Sequence, residues 1–160
     1  MSAPGEQPEA RRSSRRRSRE LAVQGLYQWQ LAGDSVEVIE KQLRNQRDFD
    51  KADEQFFGEL LRGVLARVPE LDQALQPCLD RPAAQLSPIE HAILLIGAYE
   101  LSQRLEIPYR VVINEAVELA KTFGGTDGYK YVNGVLDKLA PGLRGAEDRS
   151  RGAGGPARRR

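Results

Sequence analysis

Residues 123–134 read FGGTDGYKYVNG, with Gly124, Gly125 and Gly128 set among Thr126, Asp127 and Lys130. Glycine-rich stretches with a lysine can cradle a phosphate on backbone N–H groups. A nucleotide loop of the G-x-x-x-x-G-K-[ST] type needs a glycine directly before the lysine, a Ser or Thr directly after it, and a strand in front. Lys130 has Tyr129 before it and Tyr131 after it, and the preceding pattern is helical. The dinucleotide pattern G-x-G-x-x-G fails as well, because no βαβ unit surrounds the loop. Turn chemistry explains the stretch. Gly124 is expected to take the left-handed conformation that closes one helix, and Thr126 or Asp127 to cap the next through a side-chain oxygen. What remains is a helix N-terminus beside Lys130, Tyr129 and Tyr131. That combination can accept a backbone phosphate and offer aromatic faces to unstacked bases. Asp127 repels phosphate but can accept hydrogen bonds from a base edge.

The second chemical signal is RRSSRRRSRE, with arginines at 11, 12, 15, 16, 17 and 19 leading into an amphipathic pattern. Residues 1–19 hold six arginines against Glu6 and Glu9, net +4. Residues 142–160 hold six against Glu147 and Asp148, again +4. The chain totals +1, so residues 20–141 carry −7. An acidic body with two basic ends suits a protein that grips a polyanion. Packed like charges weaken a helix N-terminus, where the macrodipole favours anions, and a bound polyanion would remove that penalty. Residues 1–13 are expected to form a disordered basic arm, and the Arg/Gly-rich residues 142–160 a disordered tail.

Catalytic constellations are missing from the pattern. His91 is the single histidine and reads as a partly buried structural imidazole; a His-based metal site needs a second one. Cys78 is the single cysteine, which excludes an internal disulfide and a Cys-based zinc site and suits a cytosolic protein. No histidine lies near it in sequence to activate a thiolate. No catalysis, metal or cofactor is expected. No apolar run approaches the roughly 20 residues that cross a bilayer, and the N-terminus lacks the apolar segment of a secretory signal.

The elements that must position these residues read as helices throughout. Apolar residues recur at Ala22, Leu26 and Trp29 within a helix from Arg15 to Ala32, which Gly33-Asp34-Ser35 ends. A second helix follows from about Val36 to Arg47. Phe56, Leu60, Val64 and Val68 stripe a third, and Pro69 breaks the pattern before a short fourth. Ser87, Pro88 and Glu90 open the next as a capping box. From Ile89 to Leu101 only Glu90, His91 and Glu100 are polar, so this is the expected central helix. VVINEAVELAKTF turns Val112, Ala116 and Leu119 inward and Asn114, Glu115, Glu118 and Lys121 outward. The last helix runs from about Asp127 to Ala140 and stops at Pro141. The expected fold is all-α, about seven helices in one domain over 14–141.

RRRSRELAVQGLYQWQ, IEHAILLIGAYEL and IPYRVVINEAVELAKTFGGTDGYKYVNGVLDKLAP together resemble the NusB family of bacterial transcription antitermination factors. The resemblance covers residues 14–141 in the family's order. It implies two packed helical subdomains, about 14–68 and 69–141. It also implies binding of single-stranded boxA RNA in ribosomal RNA leaders together with NusE, a small-subunit ribosomal protein, within an RNA polymerase elongation complex that carries other Nus factors. The residues matching family RNA-binding positions are Arg15, Arg16, Arg17, Arg19, Tyr27, Asp127, Lys130 and Tyr131; Glu90 matches a NusE-contact position. Tyr129 stands where many members carry histidine and Tyr131 where they often carry phenylalanine. The −7 body suits a basic protein partner. Two other readings share the fold: the helical accessory module of ribosomal RNA cytosine methyltransferases, which would require a longer reading frame, and a homodimer that covers the RNA face.

Overall fold

The computed structural model describes residues 8–145 and Glu147. Among them are seven α-helices: α1 Pro8–Ala32, α2 Val36–Arg44, α3 Glu54–Leu65, α4 Val68–Leu75, α5 Pro88–Gln103, α6 Tyr109–Phe123 and α7 Gly128–Leu143. One-turn 3-10 helices lie at Phe49–Lys51, Gln76–Cys78 and Ala83–Gln85, and no strand occurs among the described residues. Local chemistry accounts for several boundaries. Gly33 (φ 71°) takes the left-handed turn after α1, and its N–H donates to the Trp29 carbonyl. Ser35, Asp53 and Ser87 cap α2, α3 and α5 through side-chain oxygens. Pro69 and Pro88 sit in first turns, where a missing N–H costs nothing.

The apolar segment forms the axis of the molecule. Every residue of α5 from Ala92 to Leu101 is buried, and α1, α3, α4, α6 and α7 all pack on it. A single hydrophobic core runs from Leu21 on α1 to Ala140 on α7, across the break near residue 68 that divides the two expected halves. His91 is half-buried on α5, its Nε2 lying 2.6 Å from Asp72 Oδ1 on α4. It is a strut between two helices.

Three boundaries differ from the sequence expectation, each for a tertiary reason. Helix α1 starts at Pro8, so residues 8–13 of the expected arm are helical; residues 1–7 lie outside the described set. Carboxylates from other elements offset the like charges: Asp53 for Arg15, Glu115 for Arg16, and Glu100 for Arg19. Helix α7 continues through Pro141 to Leu143. Asp137 and Pro141 both face solvent, so water can take the carbonyl that proline leaves unpaired. The expected tail begins later than residue 142. The Arg144 side chain is buried, and its guanidinium donates to the carbonyls of Leu101 (2.8 Å), Arg104 (3.0 Å) and Glu100 (3.3 Å). A cation thus closes the C-terminal end of α5, where the helix dipole is negative. Residues 148–160 of the expected tail lie outside the described set.

The most buried charges are Arg19 and Glu100, with side chains 4% and 2% exposed. Arg19 Nε and Nη2 donate to the two Glu100 oxygens at 2.8 and 2.7 Å. Removing one partner of such a pair strands the other in a dry interior, at a cost of about 3–5 kcal/mol, whereas replacing both with apolar residues is often neutral. Arg19→Ala and Glu100→Ala are each expected to lower unfolding free energy by about that amount in urea titrations. The double variant Arg19→Met/Glu100→Leu should recover most of it. Single variants as stable as the parent protein would show that the pair does not hold α1 on α5.

Candidate nucleic-acid interface

Helix α1 distributes its arginines by function. Arg19 is in the core and out of reach of any external ligand. Arg15 is mostly covered: its guanidinium lies over Phe56 at 4.6 Å, beside those of Arg19 (5.0 Å) and Arg104 (5.1 Å) on the same ring. Burial and the neighbouring cations push the Arg15 pKa down. These two expected ligand-binding residues therefore position the helix. Arg16 is 44% exposed and forks onto Glu115, with Nε donating to Oε1 at 3.0 Å and Nη2 to Oε2 at 2.9 Å. That hydrogen-bonded contact raises the Arg16 pKa. Glu115 was expected to face outward, but it is buried because α1 lies across α6 and turns Arg16 and Arg19 toward it. Arg17 is half-buried and pairs with Glu20 at 3.2 Å.

Arg12, Arg16, Glu20 and Tyr27 fall within about 80° of one another around α1, and Arg16 and Tyr27 are about 16 Å apart along its axis. Arg12, Arg16 and Tyr27 are exposed, Tyr27 at 39%. This is one linear stripe, cationic at its N-terminal end and aromatic toward its C-terminal end.

The opening loop is a turn built differently from the sequence expectation. Gly124 is extended (φ −89°, ψ −179°), not left-handed, and its N–H donates to Ala120 at 2.8 Å. Glycine is required there by close approach, since a Cβ would sit 2.7 Å from the Ala120 carbonyl oxygen. No side-chain oxygen caps α7, so the Thr126 or Asp127 cap is also corrected. The Asp127 carboxylate lies instead 3.5 Å from Lys130 Nζ, with both side chains about two-thirds exposed or more (72% and 66%). An exposed pair of this kind is weak, so Lys130 can exchange its carboxylate for a phosphate at little cost. Glu90 forms only half of the expected box: Ser87 accepts from the Glu90 N–H at 3.1 Å, while the Glu90 carboxylate lies beside Gly128, 3.0 Å from where a Cβ would stand. It thereby supplies negative charge at the start of α7.

Two sets of contacts connect the stripe to this loop. Along α6, Arg16 meets Glu115, Glu118 lies 3.8 Å from Lys121, and Lys121 Nζ stands 5.3 Å from the Tyr129 ring. At the other end, Gln30 Nε2 donates to the Pro88 carbonyl at 2.9 Å, and Glu90 follows at Gly128. Tyr129 therefore belongs to the α6 side of the surface, a place its sequence position left in doubt. Tyr131 does not join it, since two residues along a helix turn a side chain by about 200°. Its ring lies under the Arg81 guanidinium at 4.9 Å, and its hydroxyl donates to Asp80 Oδ1 at 3.0 Å. The two tyrosines are separate contacts, not one platform. Arg12, Arg81 and Lys121 escaped the reading of individual sites. Arg12 belongs to the arginine run, but it lies within about 20° of buried Arg19 around α1, so only the structure shows it exposed, and nothing in sequence ties Arg81 or Lys121 to the loop.

The residues 16–141 match the family described as the NusB family. The chain belongs to the NusB family. It is 65% identical over 129 residues to the transcription antitermination protein NusB of Nitrosospira multiformis, covering 81% of this chain and 82% of that one. With NusB of Paraburkholderia xenovorans the identity is 61% over 142 residues, covering 89% and 97%. Among solved structures, T. maritima NusB superposes with a TM-score of 0.73 at 27% identity, over 84% of this chain and 96% of that one. A chain from a complex of antitermination factors NusB and NusE with dsRNA has the same fold, with a TM-score of 0.70 at 24% identity over 81% and 97%. The all-α fold expected from the NusB resemblance is thus the fold observed. Among the described residues no group of His, Cys, Asp and Glu could hold a metal ion, and no helix is long and apolar enough to cross a membrane.

The Asp80–Arg81–Tyr131 cluster has a pH signature. Arg81 forks onto Asp80 at 2.6 and 3.0 Å. This hydrogen bonding, with that from Tyr131, depresses the Asp80 pKa to about 2. A carboxylate depressed in the folded state favours the contact above its ordinary pKa of about 3.9 and loses it as pH falls toward 2. A carboxyl carbon NMR titration should place the Asp80 midpoint near 2, and Arg81→Ala should return it to the ordinary range. An ordinary midpoint in the parent protein would mean that the cluster is not formed in solution.

Proposed function

We propose that this chain is a non-catalytic transcription antitermination factor of the bacterial cytoplasm. In this reading it binds single-stranded boxA RNA of ribosomal RNA leaders together with NusE and helps RNA polymerase, in complex with other Nus factors, read through terminators. The observation that carries the reading is the continuity of the α1 stripe with the α7 start. Cationic Arg12 and Arg16, aromatic Tyr27, and Lys130 with Asp127 lie along one connected surface. Arginine and lysine supply salt-dependent attraction to the backbone; Tyr27 and Tyr129 offer stacking faces; Asp127 offers an acceptor to a base edge. Arg17 adds charge beside the stripe, while Arg15 and Arg19 hold α1 in place. Tyr131, with Arg81 over it, marks the far rim. Glu90 and the acidic body are assigned to NusE, whose basic character they complement.

The mechanism needs no covalent chemistry. The arginine helix is already folded before RNA arrives, because Glu115 and Glu100 neutralise it, so binding does not bear the entropy of ordering it. A phosphate competes with Glu115 for Arg16 and with Asp127 for Lys130. Specificity then comes from bases that the loop and the tyrosines can hold unstacked.

A titration of boxA RNA against a scrambled RNA, with and without NusE, tests the reading. Preference for boxA that strengthens with NusE is expected; equal affinity for both RNAs in the presence of NusE would sink it. Lys130→Ala should weaken boxA binding and reduce its salt slope by about 0.7, the loss of one neutralised phosphate on a single strand. Wild-type affinity and slope in this variant would remove the loop from the interface.

A further inference from the structure

Helices α6 and α7 form an antiparallel hairpin across residues 124–127, and the groove between them opens into a cleft of ≈ 340 Å³. Arg110 and Asn114, one turn apart on α6, face Asn133 and Asp137, one turn apart on α7, across this cleft. Because the helices run in opposite directions, the two carboxamides stand toward the loop and the two charges toward the far end. Ile113, buried, and Tyr109, half-buried, complete the lining and give it an apolar side. The exposed arginines Arg16, Arg62 and Arg81 each hold a carboxylate. Arg110 holds none, although Asp137 lines the same cleft. Neither of these two side chains, nor that of Asn114 or Asn133, has a hydrogen-bond or ion-pair partner among the described residues. The Arg110 guanidinium stands instead 5.7 Å from the centre of the Tyr109 ring. A cation and an anion that converge without meeting leave room for a group that offers acceptors to one and donors to the other.

We propose that this cleft binds a guanine base. Guanine carries O6 and N7 as neighbouring acceptors, which suit the forked donors of Arg110, and N1–H and N2–H as neighbouring donors, which suit the Asp137 carboxylate. Adenine sets an amino group against the guanidinium and has no N1–H for the carboxylate; the pyrimidines lack the O6/N7 pair. Asn114 and Asn133, each both donor and acceptor, can serve the remaining ring nitrogen and the ribose hydroxyls. Ile113 and Tyr109 meet the flat face of the base. Two sources share this chemistry: a guanosine within an RNA strand and a free guanine nucleotide. The first rests on the RNA-binding reading above and extends its footprint. Lys121, beside Tyr129 at the loop end of the hairpin, is about 10.5 Å along α6 from Asn114, so a strand leaving the loop along the groove delivers a base to the cleft.

The test uses the full chain and its Asp137→Asn and Arg110→Gln variants, both positions being exposed and outside the core. Each protein is titrated with guanosine, adenosine and uridine 5′-monophosphates, and with boxA RNA extended on its 5′ or 3′ side by UGUGU or UAUAU. The parent protein should prefer guanine about tenfold or more in at least one series, the discrimination expected of one bidentate pair. Preference in the RNA series alone assigns the base to a strand; preference among the mononucleotides assigns it to a free nucleotide. Each variant should erase the preference while binding unextended boxA RNA within about twofold of the parent. Equal affinity for the bases in both series, or a preference that survives in both variants, overturns the guanine site. Equal loss on unextended and extended RNA overturns its separation from the boxA surface. A parent protein that binds boxA no better than scrambled RNA would remove the RNA reading, and the mononucleotide series would still decide the cleft.

Discussion

Arg19 and Glu100 face each other in the interior, each with almost no contact with water and each holding both hydrogen-bonding edges of the other. Such a pair tolerates little rotation or sliding, because a small displacement leaves a charge buried without its partner. It therefore sets the phase of α1 against the central helix. Phe56 sits under the guanidinium groups of Arg15, Arg19 and Arg104, so the same lock includes α3 and the end of α5. Once Arg19 points inward, Arg16 and Tyr27, turned by about 60° and 80° from it around the helix, emerge at the edge next to α6, where Arg16 meets Glu115. The placement of the proposed RNA surface is thus a consequence of one buried ion pair.

The acidic body has a structural use as well as the partner-binding one proposed for it. Asp53, Glu100 and Glu115, each from a different element, accept the arginines of α1 and allow a helix where repulsion would otherwise oppose one. Arg16, the exposed arginine among them, is consequently held by Glu115. Lys130 is treated alike by Asp127. In the proposed RNA reading, such a site is shaped before its ligand arrives, and phosphates compete with Glu115 and Asp127 for these cations.

Much of the fold was legible in the sequence because it rests on short-range rules. Ser35, Ser87, Gly33 and Pro88 act within one turn of the chain, and the apolar run at 92–101 has no stable place but the centre of a helical fold. Misreadings arose where a distant group intervened. Asp53, Glu115 and Glu100 offset the arginines of α1, which begins at Pro8; Arg144 joins the core by capping α5; Glu115 is buried by α1. Gly124 was correctly placed at a turn but for a different cause, since its own backbone approach to Ala120 excludes a side chain.

The sequence by itself determined an all-helical chain, its central helix, its family and the chemical types available for binding a polyanion. Periodicity, capping and composition act locally, so they can be read from neighbours in the chain. Only the tertiary structure decided which arginines are exposed and which are struts. It also placed Tyr129 beside Lys121 and Tyr131 beneath Arg81, on different sides of α7. Those outcomes depend on which carboxylate or ring from another helix lies within a few ångströms, and Coulomb and hydrogen-bond energies fall too steeply with distance for sequence order to reveal them.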